Sequence, residues 1–187
     1  MNEGSNRVDH LLEAIRSEAF FDGRLSTYHS TLYMFDFSPA EQPHLSWLLS
    51  LLPMQVGDRS IGSVDLFECA RAMLERKGRW ARIQHFSQGK SLSETVQKAR
   101  FLEVDALVDA ILEEVAVKER DAVLLSGFGD ASVAWSPSGL LSQLNSRLPE
   151  VTKLVALLPG VVDRDKFRFF DSEERIFPAF RYLRLVQ

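Results

Sequence analysis

Apolar residues in this chain occur both in short unbroken runs and at helical spacing. The continuous runs Ala122 to Leu125 and Leu154 to Leu158 each end at a glycine-containing turn. Such runs are typical of parallel strands, because helices cover both faces of a parallel sheet. Thr31 to Phe37, rich in β-forming residues, predicts a further buried strand, and Ser60 to Val64 predicts another.

Amphipathic patterns that indicate helices lie between these runs. The clearest spans Val104 to Val115, where apolar residues recur with the 3.6-residue period of a helix. Ser38 and Glu41 form a capping-box pattern that includes a proline, so a helix is predicted from Ser38 to a break at Gly57. The remaining helical patterns begin near Val8, Asp65, Leu92 and Pro137, and the one from Asp65 is predicted to end at Gly78.

This alternation of strands and helices predicts a three-layer α/β fold, with a mainly parallel sheet that is covered by helices on both faces. The alternating segment Tyr182 to Val186 predicts an added edge strand. With 187 residues, of which 45% are hydrophobic, the chain is long enough to bury one core. We therefore expect residues 1–187 to form a single domain.

Composition argues against several classes of protein. No apolar run approaches the length of about 18 residues that a membrane helix needs, and residues 1–7 do not resemble a signal peptide, so we expect a cytoplasmic protein. The single cysteine, Cys69, excludes an internal disulfide and falls on the apolar face of its predicted helix. With only four histidines in addition, a structural zinc site is not expected.

Charge is unevenly distributed along the chain. The net charge is −4, yet residues 71–100 contain eight basic residues against two acidic ones. One interpretation is a patch that faces phosphate or an acidic partner, with Trp80 and Phe86 available for stacking; the other is a pair of solvated helices. The basic residues are Arg71, Arg76, Lys77, Arg79, Arg82, Lys90, Lys98 and Arg100.

Ligands of parallel α/β folds usually bind at the carboxyl ends of the strands, which gives a default site in this chain. Asp36, Asp65 and Asp130 would hold Mg²⁺ if they converged there, or would act as turn and cap residues. Gly89-Lys90-Ser91 matches the end of a phosphate-binding loop, but Gln84 stands where that motif needs glycine. The strand-end candidates are Asp36, Gly127, Gly129, Asp130, Pro159 and Gly160.

Seven short segments, in fixed order, carry a family resemblance. They are Asp65 to Phe67, Leu74 to Gly78, Val108 to Ile111, Leu124 to Gly129, Leu158 to Gly160, Phe169 to Phe170 and Ala179 to Leu185. In this order the chain resembles the BrxB family of bacteriophage exclusion (BREX) defence systems, from about Leu32 to Leu185. It departs from the family pattern at Ala131 to Trp135, which contains no arginine, and at Leu157-Leu158, where an aromatic residue is usual.

The resemblance implies a non-catalytic accessory protein, without a cofactor, that binds other BREX components and in particular a PglZ-like phosphatase-family protein. Aromatic and arginine side chains near the C-terminus are typical of interfaces, although they would equally cover the edge of a sheet. The partner-binding candidates are Arg168, Phe169, Phe170, Arg181, Tyr182 and Arg184. The alternative hypothesis is a degenerate nucleotide- or nucleic-acid-binding α/β domain that uses the strand-end glycine loops or the basic patch 71–100.

Overall fold

Nine strands and seven helices are defined in the part of the chain that the computed structural model describes. This part comprises residues 3–22, 32–86, 104–117, 120–128, 137–148, 152–163, 166–169, 172–175 and 181–182. The helices are α1 (Glu3–Arg16), α2 (Glu18–Phe21), α3 (Gln42–Ser50), α4 (Leu66–Arg76), α5 (Trp80–Phe86), α6 (Val104–Val117) and α7 (Pro137–Arg147). The strands are β1 (Leu32–Phe37), β2 (Met54–Val56), β3 (Arg59–Asp65), β4 (Ala122–Ser126), β5 (Lys153–Pro159), β6 (Val161–Asp163), β7 (Lys166–Phe169), β8 (Ser172–Arg175) and β9 (Arg181–Tyr182).

Six of these strands form one sheet in the order β2-β3-β4-β5-β1-β9. Every neighbouring pair from β3 to β9 is parallel, and only β2 joins its neighbour β3 in antiparallel direction. The carboxyl ends of β3, β4, β5 and β1 therefore meet at one edge of the sheet. This sheet, with its helices, confirms the α/β fold that the sequence predicts.

Alternate residues of β1 show how the two faces of the sheet are covered. Leu32 and Met34 pack into one apolar cluster with side chains of α4, α6 and α7. Tyr33 and Phe35 pack into a second cluster with side chains of α1, α2 and α3. Because successive side chains of a strand point to opposite faces, these two clusters lie on opposite sides of the sheet. The sheet is thus the middle of the three layers.

Helix α3 differs from its prediction at both ends. It begins at Gln42, because Ser38 and Glu41 close a turn in which the Glu41 carboxylate accepts from the Ser38 amide (2.8 Å) and hydroxyl (2.9 Å). It ends at Ser50, because Pro53 lacks a backbone N–H and disfavours helical geometry in the residue before it. The predicted last turn is instead strand β2, which forms a hairpin with β3 around Gly57.

A second, antiparallel sheet of three strands, β6-β7-β8, follows β5 and is absent from the sequence prediction. Its strands are three or four residues long, too short for a periodic pattern to be visible. The predicted C-terminal edge strand is described only at Arg181–Tyr182, where β9 pairs with β1 at the sheet edge. Residues 183–186 and the helix predicted near Leu92 lie outside the described residues.

Candidate functional site

The carboxyl edge of the sheet is organised around Asp65, the last residue of β3. One carboxylate oxygen, Oδ1, accepts from the Glu68 amide at 3.0 Å and so caps the N-terminus of α4. The other, Oδ2, accepts from the Ser126 hydroxyl at 3.0 Å. Ser126 lies directly opposite Asp65 in the β3–β4 ladder, so the two parallel strands bring these side chains together. The side chain of Asp65 thus caps helix α4 and also links strand β3 to strand β4.

Gly127, one of the strand-end candidates, lies against the same carboxylate. Its φ of +80° is in the left-handed region, which side chains other than glycine rarely adopt. A Cβ at this position would stand 2.7 Å from Asp65 Oδ1 and 3.0 Å from the Phe67 amide nitrogen. The close approach of the β4 turn to the start of α4 therefore requires glycine.

Asp36, near the end of β1, binds a residue that the sequence prediction missed. Arg7 of α1 donates to Asp36 Oδ1 at 2.7 Å and to the Asp36 carbonyl at 3.0 Å, and to both carboxylate oxygens of Glu41 at 3.1 and 3.2 Å. Asp36 is 6% exposed and Glu41 3% exposed. The Arg7 guanidinium also lies 5.3 Å from the centre of the Phe35 ring. One arginine thus forms ion pairs with two buried carboxylates.

The sheet order separates Asp36 from Asp65. Strands β4 and β5 lie between β1 and β3, which gives three strand spacings, or about 14 Å, between the two backbones. Ligands of one Mg²⁺ ion lie about 2.1 Å from it, so these two carboxylates do not converge on a common ion. Gly129 and Asp130 lie outside the described residues. Among the residues that are described, no three His, Cys, Asp or Glu side chains are grouped as metal ligands would be.

The Pro159-Gly160 turn joins the two sheets. Pro159 ends β5 opposite Phe37 of β1, and the Gly160 amide donates to the Phe37 carbonyl at 2.9 Å. Strand β6 begins at the next residue, Val161. The turn therefore fixes where the small sheet leaves the edge of the large one.

The opposite, amino-terminal edge of the strands carries a second polar cluster, centred on Asp121. Its carboxylate accepts from the Ser60 amide at 2.7 Å and from the Arg59 guanidinium at 3.0 Å. Burial opposes ionisation of Asp121, but the hydrogen bonds from Ser60 and Arg59 outweigh it and lower the pKa of this carboxyl. The Asp121 backbone also bonds to Ser60 and Lys153, so this residue ties β3, β4 and β5 together.

Five residues of the basic patch lie in or between helices α4 and α5, and all five are exposed: Arg71, Arg76, Lys77, Arg79 and Arg82. Arg71 forms an ion pair with Glu68, one helical turn before it. Trp80, at the start of α5, packs edge-on against Phe67, with ring centres 6.1 Å apart. Lys90, Lys98 and Arg100 lie outside the described residues.

Four of the six partner-binding candidates lie in described strands, on the small sheet and on β9. Arg168 is an exposed residue of β7, and it is directly opposite Val161 in the β6–β7 pair. Val161, missed in the sequence prediction, is 58% exposed. Phe169, Arg181 and Tyr182 lie within strands, whereas Phe170 and Arg184 are outside the described residues.

Comparison with known proteins identifies one family. A family model described as BREX protein BrxB matches residues 62–182. This range begins within β3 and continues to the end of β9, so it includes the Asp65–Gly127 contact, helices α4 and α5 and the small sheet. Arg7, Asp36 and Glu41 precede it. No curated protein and no solved structure matches the chain. Within the described residues, no helix is both long and apolar enough to cross a membrane.

Proposed function

Because the chain belongs to the BrxB family and hence to BREX phage defence, we propose that it is a non-catalytic interaction subunit that binds a PglZ-like phosphatase-family protein. Membership of the family implies association with other BREX components. The identity of the partner rests on the family resemblance, and the surface on which it docks is inferred from the geometry of the small sheet.

The observation that carries this proposal is the exposed pair Val161 and Arg168. Residues directly opposite each other in an antiparallel pair project from the same face of the sheet, so an apolar side chain and an arginine stand side by side. Arginine and apolar side chains supply much of the energy of protein interfaces when a partner buries them. Because the apolar side chain of Val161 is 58% exposed, a partner that covers it removes apolar surface from water and so stabilises the complex.

Two further large apolar residues that are well exposed lie elsewhere in the chain. Trp47 and Leu51, on and just after α3, are 50% and 38% exposed. They precede the range that matches the family, whereas Val161 and Arg168 lie within it. A surface that binds a partner common to the family is therefore expected on the small sheet instead of on α3.

The carboxyl edge of the large sheet supports a non-catalytic role. Asp65 is occupied by the Glu68 amide and the Ser126 hydroxyl, and Asp36 is occupied by Arg7. A carboxylate that serves as a general base or a metal ligand needs an oxygen directed at its substrate or ion. Here both of these strand-end carboxylates are bound to the protein's own donors.

Co-purification tests the proposal. The chain, with an affinity tag, is produced together with the PglZ-like protein of its own defence system, and the amount of partner retained is measured. We expect Val161→Ser and Arg168→Ala each to weaken retention by about tenfold, as interface hot spots do. The double variant Arg181→Ala/Arg184→Ala tests the rest of the predicted surface.

Leu51→Ser and Arg16→Ala are matched controls, because they remove an exposed apolar residue and an exposed arginine from other elements. Both should retain the partner as the unmodified chain does, and circular dichroism should show that every variant is folded. If Trp47→Ser abolishes retention while Val161→Ser does not, the partner docks on α3. If the unmodified chain retains no PglZ-like protein, the proposed partner is wrong.

Enzyme assays test the non-catalytic role separately. The purified chain should show no ATPase, phosphatase or nuclease turnover above background, because the described strand-end carboxylates of Asp36 and Asp65 are occupied. Turnover that disappears in Asp36→Ala or Asp130→Ala would contradict this part of the proposal.

A further inference from the structure

We propose that helices α4 and α5 form a basic surface that binds the phosphodiester backbone of duplex DNA without reading its sequence. This function is additional to partner binding and does not rest on it.

The turn between α4 and α5 is short and well defined. The Gly78 amide donates to the Glu75 carbonyl at 2.9 Å, and the Arg79 amide donates to the Leu74 carbonyl at 2.8 Å. This pair of hydrogen bonds is a Schellman motif, and it requires the left-handed φ of +63° that Gly78 adopts. Only residues 77–79 separate the two helices. Lys77 and Arg79, which flank Gly78 in this turn, are both exposed.

The charge of this segment is opposite to that of the rest of the chain. Residues 66–86 contain five Lys or Arg residues and two Glu residues, which gives +3. Since the whole chain carries −4, the remaining residues carry −7. An anion that approaches the protein is therefore attracted to α4 and α5 and repelled by the remainder, which is the electrostatic footprint of a nucleic-acid surface.

Four of the five cations are free to bind an anion. Arg76, Lys77, Arg79 and Arg82 are exposed, and within the described parts of the chain they form no ion pair. Arg71 is the exception, because it pairs with Glu68. Exposed cations that are not already neutralised release counterions from DNA when they meet its phosphates, and this release drives association.

The composition of the exposed face distinguishes DNA from an acidic protein. Among the residues of α4 and α5 whose side chains are described, the exposed ones other than the cations are Glu68, Ala72, Glu75, Ala81 and His85, and none of these is large and apolar. Trp47, Leu51 and Val161, which are large, apolar and well exposed, lie outside α4 and α5. Protein interfaces bury aromatic and apolar anchors at their centre, whereas phosphate contacts need only positive charge and hydrogen-bond donors.

The position of Trp80 favours duplex over single-stranded DNA. Proteins that bind single strands stack exposed aromatic rings on the bases. Trp80 is only partly exposed, and its ring contacts Phe67 edge-on at the junction of the two helices. Its ring therefore holds α5 against α4, and the exposed groups of this surface are suited to phosphates rather than to bases.

Fluorescence anisotropy with a labelled 30-base-pair duplex of random sequence tests the proposal, using the full chain. Contacts from four cations give a slope of log K against log salt of about −3.6. The double variant Arg79→Gln/Arg82→Gln should reduce this slope to about −1.8. Its affinity should fall by about a hundredfold at 50 mM salt and by about tenfold at 200 mM salt.

The matched control is Arg16→Gln/Arg147→Gln, which removes the same charge from exposed positions on α1 and α7. It should retain both the slope and most of the affinity, and the thermal midpoint of both double variants should remain near that of the unmodified chain. The proposal is overturned if the unmodified chain does not bind the duplex, or if the control loses as much affinity as Arg79→Gln/Arg82→Gln.

Two further measurements distinguish DNA from other anions. Poly-glutamate or a single-stranded oligonucleotide that binds as tightly as the duplex would show that the surface is not a duplex-DNA site. Retention of the PglZ-like protein should be unchanged in Arg79→Gln/Arg82→Gln. If that variant loses the partner instead of DNA, the basic surface is the partner's docking site, and the DNA proposal fails independently of the proposed function.

Discussion

A Cβ atom added to Gly127 would stand 2.7 Å from Oδ1 of Asp65, closer than non-bonded atoms approach. That same oxygen accepts a hydrogen bond from the Glu68 amide in the first turn of α4. The turn after β4 and the first turn of α4 therefore share one carboxylate. A change at Gly127 should consequently be transmitted to the N-terminus of α4, a helix of the proposed DNA surface.

Gly127→Ala should lower the free energy of unfolding by about 2 to 3 kcal/mol. Left-handed geometry costs an alanine about 1 to 2 kcal/mol, and displacement of the Asp65 cap adds about 1 kcal/mol. Gly57→Ala is the matched control, because its φ of +61° is also left-handed but nothing lies within 4 Å of an added Cβ. Urea unfolding of both variants checks the difference. Equal losses would show that the contact with Asp65 contributes nothing.

The fold was predictable because its signals are local and repeated. The strict period of Val104 to Val115 and the apolar runs at β4 and β5 each determine one element without reference to the rest of the chain. Contacts between distant residues were not predictable in this way. Asp65 meets Ser126 across 61 positions because of the strand register, and Arg7 meets Glu41 because α1 packs beside α3. No spacing in the sequence encodes either contact.

Ile111→Ala should lower the free energy of unfolding by about 2 to 5 kcal/mol, because it removes a fully buried side chain from the α6 face of the core and leaves a cavity. Glu113→Ala, in the same helix but exposed, is the control and should change stability by less than about 0.5 kcal/mol. Chemical denaturation measures both. A small effect at Ile111 would show that the sheet tolerates the loss of α6 packing.

Asp121 should make stability depend on pH at the acidic end of the range. Its pKa in the folded chain lies below the value of about 3.9 in the unfolded chain, so its contribution is complete above about pH 5 and is lost as the pH falls through the folded pKa. Asp121→Asn should therefore be less stable than the unmodified chain at pH 7, and the difference should shrink toward pH 3. Urea unfolding at several pH values measures it.

The control for this series is Asp58→Asn, which removes an exposed carboxylate 3.9 Å from the same Arg59. Exposed ion pairs contribute little, so this variant should follow the unmodified chain at every pH. A difference between Asp121→Asn and the unmodified chain that stays constant from pH 7 to pH 3 would show that ionisation of Asp121 does not stabilise the fold.

Arg7 should be the strongest single link between α1 and the sheet. Arg7→Met keeps the apolar stem but leaves Asp36 and Glu41, both buried, without their shared cation. Removal of one partner of a buried pair costs about 3 to 5 kcal/mol, and because Arg7 itself is 41% exposed we expect a smaller loss of about 1 to 3 kcal/mol. Arg16→Met, an exposed position on the same helix, should change stability by less than about 0.5 kcal/mol.

A double-variant cycle separates the charge from the packing of Arg7. If the buried carboxylate is what makes Arg7→Met costly, adding Glu41→Gln should cost less in the Arg7→Met background than in the unmodified chain, because the uncompensated charge is then gone. Additive losses in urea unfolding would mean that Arg7 stabilises the chain through its contact with Phe35 instead. Because Arg7, Asp36 and Glu41 precede the family-matched range, a strong coupling would show that α1 is anchored by contacts outside that range.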